Sequence, residues 1–326
     1  MAVSWLIPVR NGRRWLAEAL ASALAECGPD DEVIVVDDGS TDRAHEIIPQ
    51  DTRIRWHSQP HQGIVAALEV GRRMCIHPLI ARLDADDITL PGRIAAQTKF
   101  LEEHPECAVV GGRAHMFTDD GEVPEGMRRY VDWVNGLVDL HDELLVESPI
   151  FHPAALMRAA AVEAVGGYRD GDLPEDYDLW LRLTSAGHRI ANVDRVVVRL
   201  RDRPERLTRT DPRYRTAAFD SVKRTWLSAG PFRSPQRVAV WGAGKTGRGW
   251  IRWLLAEGHQ VEAVIDAFHN TERQGVPILA PENLEQIHVD RCLVAVGARG
   301  AREQIRTQIR ALRPDWEEGL DWWAVR

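Results

Sequence analysis

Three carboxylates within four positions, Asp84-Ala85-Asp86-Asp87, are the residues of this chain best suited to chemistry. Hard divalent cations take oxygen ligands, and Mg²⁺ or Mn²⁺ is commonly held by one or two carboxylates while substrate phosphates complete the shell. Asp84 and Asp86, spaced as Asp-x-Asp, therefore suit a metal-bound nucleoside diphosphate. Three acids in a loop suit a solvated turn or a helix cap equally well, and Asp87 reads as a cap. Two further acidic turns bear on the choice: Asp37-Asp38-Gly39-Ser40-Thr41-Asp42, and Glu175-Asp176 behind Pro174.

The elements that must position these acids are legible around them. Val3 to Val9 reads as a short strand, Pro8-Val9-Arg10-Asn11-Gly12 as a turn, and Trp15 to Ala25 has a helical pattern. Glu32-Val33-Ile34-Val35-Val36 is an apolar run of the kind buried in parallel sheets, and it feeds directly into the Asp37-Asp38 turn. Pro78-Leu79-Ile80-Ala81 precedes Asp84, and Leu90-Pro91-Gly92-Arg93 opens the next helix. Ligands of open α/β sheets bind beyond the carboxyl ends of strands, where Asp38 and Asp86 both fall. Glu175-Asp176 precedes a helical stretch, Tyr177 to Ala186. Taken alone, the pair reads as a helix N-terminus, where acids complement the dipole.

Ser4-Trp5-Leu6-Ile7-Pro8-Val9-Arg10-Asn11, Val36-Asp37-Asp38-Gly39-Ser40-Thr41-Asp42 and Leu83-Asp84-Ala85-Asp86-Asp87 resemble, in order, the successive motifs of family 2 glycosyltransferases. Pro174-Glu175-Asp176-Tyr177-Asp178-Leu179-Trp180-Leu181-Arg182-Leu183 resembles that family's Glu-Asp segment, and Val165-Gly166-Gly167-Tyr168 precedes it in a family-like way. The resemblance covers roughly residues 2 to 225. It implies a GT-A-type fold, α/β with a mixed, mostly parallel sheet flanked by helices. It also implies an inverting, Mn²⁺- or Mg²⁺-dependent transfer of a sugar from a nucleoside diphosphate donor, UDP by family weight, to an acceptor hydroxyl in glycan or cell-surface polysaccharide synthesis. Carried over by motif, Pro8, Val9, Arg10 and Asn11 line the donor nucleotide, and Asp38 accepts the base N–H of a uracil-like ring. Asp84 binds ribose or metal, Asp86 ligates the metal, Asp176 is the general base, and Glu175 orients the loop or the acceptor.

The chain departs from the family pattern in places. Arg10 stands where many members have an aromatic residue, although a guanidinium also stacks on a base. Arg201-Asp202-Arg203 and Thr208 stand where members often carry an Arg-x-His and a later Ser that close over the diphosphate. Residues 199 to 215 hold seven Arg against three acids. Such a segment suits a phosphate grip by bidentate hydrogen bonds or a solvated, salt-bridged loop. His152 falls on the strand that the family places on the acceptor side, where a structural histidine is an equal expectation.

At 326 residues and 44% hydrophobic content the chain supplies two cores. Small and breaking residues from Ser228 to Pro235 divide it into a transferase domain 1–228, a linker 229–236 and a smaller α/β domain 237–326. In that last part a strand, Arg237 to Trp241, leads into Gly242-Ala243-Gly244-Lys245-Thr246-Gly247, a helix, and a second strand, Gln260 to Ile265, ending at Asp266. This is a βαβ unit with a G-x-G-x-x-G turn: Gly242, Gly244 and Gly247 let backbone N–H groups approach a phosphate, and Asp266 reaches ribose hydroxyls. A Walker loop is excluded, because Ala239 stands where it needs glycine. Together with Gly275-Val276-Pro277-Ile278 and Leu293 to Gly300, the region resembles small Rossmann-type nucleotide-binding modules attached to sugar-modifying proteins. That resemblance implies NAD(P), a sugar nucleotide or a coenzyme A fragment as ligand. A fold kept for packing or oligomerisation is the plain alternative.

The formal net charge of −8 argues against broad nucleic-acid binding. Cys27, Cys75, Cys107 and Cys292 are scattered without a Cys-x-x-Cys pair, as in a reducing cytosol. No apolar run approaches the ~18 residues that span a bilayer, so the expectation is a cytoplasmic protein, peripheral to the membrane if its acceptor is lipid-linked. Twelve Trp supply apolar material for cores and for a contact between copies. Two other function classes stand beside the transferase: a nucleotide-sugar oxidoreductase run by the C-terminal turn, and a non-catalytic sugar-nucleotide sensor.

Overall fold

The computed structural model describes residues 1–268, 271–298 and 300–326, so Arg299 of the last C-terminal motif lies outside the described residues. The chain forms two compact units, one of residues 1–140 and 148–220, the other of residues 141–147 and 221–326.

The first unit is built on an eight-stranded sheet. Its strands are β1 (Val3–Val9), β2 (Glu32–Asp38), β3 (Ile54–Gln59), β4 (Leu79–Arg82), β5 (Ile88–Thr89), β6 (Cys107–Phe117), β7 (Leu156–Arg158) and β8 (Arg189–Arg201), in spatial order β3-β2-β1-β4-β7-β6-β8-β5. Neighbours from β3 to β4 pair in parallel, as do β6 and β8, whereas β7 and β5 run antiparallel to theirs. The expected mixed, mostly parallel sheet is therefore present. Both β1 and β2 are buried at every position, because helices cover the two faces of a parallel sheet and leave no solvent side.

Three features hold the loops at the carboxyl ends of these strands. Asn11 ties the turn after β1 to the turn after β2: its backbone N–H donates to Ser40 Oγ at 2.9 Å, and its side-chain oxygen accepts the Thr41 N–H at 2.8 Å. Gly39, at φ 72°, runs against the loop after β3, where a Cβ would come within 2.7 Å of the His61 nitrogen; only glycine takes that turn cheaply. Arg93 and Gln97, one helical turn apart and both fully buried, brace the middle of the sheet. Arg93 donates to the carbonyls of Arg82 (2.9 Å), Pro153 (3.0 Å) and Ala155 (3.2 Å), and Gln97 donates to those of Val110, Gly111 and Ala154. Burial drives the Arg93 guanidinium down to about 9, and its positive face lies 5.1 Å from the Trp5 ring centroid. This brace fixes the end of β4, from which the acidic loop springs.

The second unit has strands β9 (Arg237–Trp241), β10 (Gln260–Ile265), β11 (Glu272–Arg273), β12 (Val276–Leu279), β13 (Arg291–Val294) and β14 (Trp322–Ala324), in order β11-β12-β10-β9-β13-β14. From β12 to β14 every neighbouring pair is parallel. Chain order reverses between β9 and β13, the switch point at which doubly wound sheets open a crevice. Residues 141–147 belong to this core: Leu144 and Leu145 are buried, Glu143 pairs with Arg306 at 2.7 Å, and the buried Lys223 donates to the Val146 carbonyl at 2.8 Å. Phe232, in the stretch read as a linker, is buried against Trp253, His259 and Trp323.

Candidate active site

The acidic loop leaves β4 directly after Arg82, a cation that is 2% exposed. Arg82 Nη2 donates to Asp84 Oδ1 at 2.6 Å and Nη1 donates to the Leu83 carbonyl. Burial would raise the Asp84 carboxyl, but the charges of Arg82 and Arg206 outweigh it and hold Asp84 below the usual carboxylate range. Asp86 Oδ2 accepts from Arg203 Nε at 2.5 Å. Asp87 is buried rather than capping a helix. Its Oδ1 accepts the Arg201 backbone N–H at 2.7 Å, and its Oδ2 has no hydrogen-bond partner. Burial first, and then the charges of Asp86 and Asp84, push Asp87 well above the usual range.

The ligand atoms of Asp84, Asp86 and Asp87 lie within 4.8 Å of one another. A buried carboxylate oxygen left unpartnered beside two other oxygen donors is the donor set a hard divalent cation takes, and these residues fit one.

Glu175 and Asp176 open the helix Glu175–Ser185, as the sequence implies, but they occupy different environments. Glu175 is buried, and the Tyr214 hydroxyl lies 2.7 and 2.9 Å from its two oxygens. Burial raises its carboxyl, with Tyr214 and the nearby Arg213 opposing. Asp176 is half-buried, and its Oδ1 accepts the Tyr177 N–H at 2.7 Å. The two acidic groups are linked electrostatically through Arg82, whose charge acts on Asp84, His152 and Glu175.

His152 is buried, with Nε2 2.7 Å from the Tyr168 hydroxyl and its ring edge-on to Trp180. Burial, and then Arg82, keep it well below the usual histidine range. Asp38 is also inside. Its Oδ1 accepts from Gln59 Nε2 and the Gln62 N–H, both at 2.8 Å, and its Oδ2 meets His61 Nδ1 at 2.7 Å and the Gly63 N–H at 2.9 Å. Burial works to raise its carboxyl and these donors outweigh it, so the group lies below the usual range. A pyrimidine N–H that pairs with Asp38 must displace one of them. Pro8 and Val9 are buried at the end of β1, and Arg10 is exposed.

Within the arginine-rich segment, Arg201 is buried on Glu18 and Asp119, and Arg209 forks onto Asp202 at 2.7 and 2.8 Å. Arg206 is held charged by Asp87, Asp84 and Asp86 against the opposing effect of burial. Arg82, Tyr214 and the buried state of Asp87 escape a reading of the sequence, whereas Arg206 belongs to the arginine-rich segment already singled out there. A cation ending the apolar run Leu79-Ile80-Ala81 was the one available signal for Arg82.

In the second unit, Gly247 packs so tightly on the turn that a Cβ would sit 1.8 Å from the Gly242 carbonyl oxygen. Asp266 is engaged with that same loop: Oδ2 accepts the Ala243 N–H at 2.8 Å and Oδ1 the Phe268 N–H at 2.9 Å.

The family description "Glycosyl transferase family 2" matches residues 4–166, half of the chain. Among curated proteins, the amylovoran biosynthesis glycosyltransferase of Erwinia amylovora is 31% identical over 180 residues, covering 52% of this chain and 64% of that protein. The UDP-Gal:alpha-D-GlcNAc-diphosphoundecaprenol beta-1,3-galactosyltransferase of Escherichia coli is 28% identical over 206 residues, covering 61% of this chain and 73% of that one. Among solved structures, S. aureus TarS in complex with UDP-GlcNAc superposes with a TM-score of 0.54 at 19% identity, covering 69% of this chain and 65% of that chain; this likeness speaks to the fold. The chain spans under two thirds of the length of the Erwinia amylovora protein and of the TarS chain. The chain belongs to glycosyl transferase family 2.

Proposed function

We propose that the chain transfers a sugar from a nucleoside diphosphate donor, UDP in the first instance, to an acceptor hydroxyl in polysaccharide or lipid-linked glycan synthesis, with metal dependence and inversion at the anomeric carbon. One observation carries the reading. The carboxylates Asp84, Asp86 and Asp87 gather at the end of β4, and Glu175-Asp176 opens a helix whose first acid feels the same buried Arg82. The named relatives support the substrate class, since one builds amylovoran and another uses a UDP-sugar with a diphosphoundecaprenol-linked acceptor.

In this reading Asp84 and Asp86 hold Mn²⁺ or Mg²⁺, which supplies charge for the departing diphosphate. Asp176 accepts the proton of the acceptor hydroxyl as its oxygen attacks the anomeric carbon. The bond from that carbon to the phosphate oxygen breaks with its electron pair staying on the diphosphate, so attack and departure on opposite faces invert the centre. Glu175, fixed by Tyr214, positions the helix N-terminus that carries Asp176 and does not itself touch the reacting atoms. Pro8 to Asn11 and Asp38 form the nucleotide side. The unit of residues 1–140 and 148–220 is then the transferase, and the unit that holds residues 221–326 a Rossmann-like module whose Gly242, Gly244 and Gly247 turn takes a nucleotide-type phosphate.

Calorimetric titration of UDP, GDP and dTDP, with and without Mn²⁺, tests the donor site. Metal-dependent binding of one nucleotide, lost in Asp86→Ala, supports the assignment. Binding indifferent to both metal and Asp86 overturns it.

A further inference from the structure

We propose that Arg203 is the resident cation of the acidic cluster. It occupies Asp86 until a divalent cation takes that carboxylate, and it then pairs with the donor's diphosphate. The proposal rests on the metal-dependent reading above.

Two acids of the cluster already hold a guanidinium: Arg82 answers Asp84 at 2.6 Å, and Arg203 answers Asp86 at 2.5 Å. A divalent cation brought to the same oxygens meets guanidinium protons already bonded to one of them. Of the two arginines whose guanidinium bonds a carboxylate of the cluster among the described residues, Arg203 is the one free to leave: Arg82 is 2% exposed, and the Arg203 side chain is 30% exposed. Arg203 also has a prepared perch, its guanidinium lying 4.9 Å from the Trp15 ring centroid, with Trp15 Nε1 fixed on Asp119 Oδ2 at 2.9 Å. A guanidinium displaced from a carboxylate pairs well with the oxygens of a diphosphate, which two of its N–H groups can bond together. The segment is tied farther along by Tyr214 on Glu175, so Arg203 sits in a stretch of loop and short helical turns anchored beside the helix that opens with Glu175-Asp176.

Arg203 therefore opposes bare metal and favours metal with nucleotide, and removing it must change the two affinities in opposite directions. Free Mn²⁺, counted by electron paramagnetic resonance, is titrated into the wild-type chain, Arg203→Ala and Asp86→Ala, each with and without UDP. Arg203→Met, which keeps the stem over Trp15, guards against a packing artefact. The expected result is Mn²⁺ binding about tenfold tighter in both Arg203 variants without nucleotide, from loss of a charge-assisted competitor, and UDP binding in the presence of Mn²⁺ about tenfold weaker. Equal Mn²⁺ affinity in wild type and Arg203→Ala, with binding abolished by Asp86→Ala, overturns the proposal while the metal site stands. Tighter Mn²⁺ binding with unchanged UDP affinity overturns the transfer of Arg203 to the diphosphate. No Mn²⁺ binding to any variant, even with UDP, overturns the metal-dependent reading and this proposal with it.

Discussion

Replacing Tyr214 by Phe removes one hydroxyl and leaves the ring, so its effect isolates what that hydroxyl does for Glu175. The carboxyl of Glu175 is 3% exposed and raised by burial, with the Tyr214 hydroxyl, 2.7 and 2.9 Å from its two oxygens, as the largest opposing contribution. A hydrogen bond to a buried charged group contributes about 1.5–3 kcal/mol, against about 1 kcal/mol for a neutral pair. The sign follows from proton linkage. A carboxyl whose folded pKa is raised binds more protons folded than unfolded, so its contribution is fully present below the unfolded value of 4.5 and is lost as pH rises through the folded pKa. Tyr214→Phe raises that folded pKa further and deepens the loss on the alkaline side. The expected cost is about 2–3 kcal/mol on the alkaline side of the folded pKa, where the wild-type hydroxyl meets a carboxylate, and about 1 kcal/mol at or below pH 4.5, where it meets a carboxylic acid. Urea-unfolding midpoints of both proteins in the two pH ranges read the difference. A cost equal at both, or larger in acid, refutes the argument that Tyr214 stabilises an ionised Glu175.

Other expectations follow from single residues. Gln97→Ala leaves the carbonyls of Val110, Gly111 and Ala154 without their donor and should destabilise the chain by about 2–4 kcal/mol, read as a lowered urea midpoint; a cost under about 1 kcal/mol removes the brace from the account. His152 is kept neutral by burial, so the fold should lose stability as pH falls through the unfolded value of 6.5, where the unfolded chain gains a proton that the native state refuses. His152→Gln should flatten the stability profile between about pH 7 and pH 5, and an unchanged slope speaks against a neutral buried imidazole.

The parts of this molecule legible from sequence are those that depend on local pattern. Val3–Val9 and Glu32–Val36 read as strands because an apolar run flanked by turns has few other homes, and both lie buried in the sheet. Pairings across the chain are another matter. Nothing adjacent to Arg203 names Asp86, and nothing near Tyr214 names Glu175, since each contact is set by where the sheet returns. Asp87 looks like its neighbours in sequence, yet the end of β8 covers it and makes it the most buried acid of the loop. The short apolar run Leu144-Leu145-Val146 carries no periodicity, and its place in the second unit depends on the Glu143–Arg306 pair and the Lys223 bond to the Val146 carbonyl, contacts that lie far off in sequence.

The most direct test of the central claim uses water as a surrogate acceptor and follows the configuration of the released sugar. UDP-N-acetylglucosamine and UDP-galactose, each with Mn²⁺, are incubated with wild type and Asp176→Asn, and the first-formed anomer is recorded by proton NMR while UDP binding is measured in parallel. The account predicts release of the inverted anomer by the wild type, with the rate lowered at least about 100-fold in Asp176→Asn and UDP affinity changed less than about threefold. Release of the retained anomer, or an undiminished rate in Asp176→Asn, contradicts the assignment of Asp176 as the base of an inverting transferase.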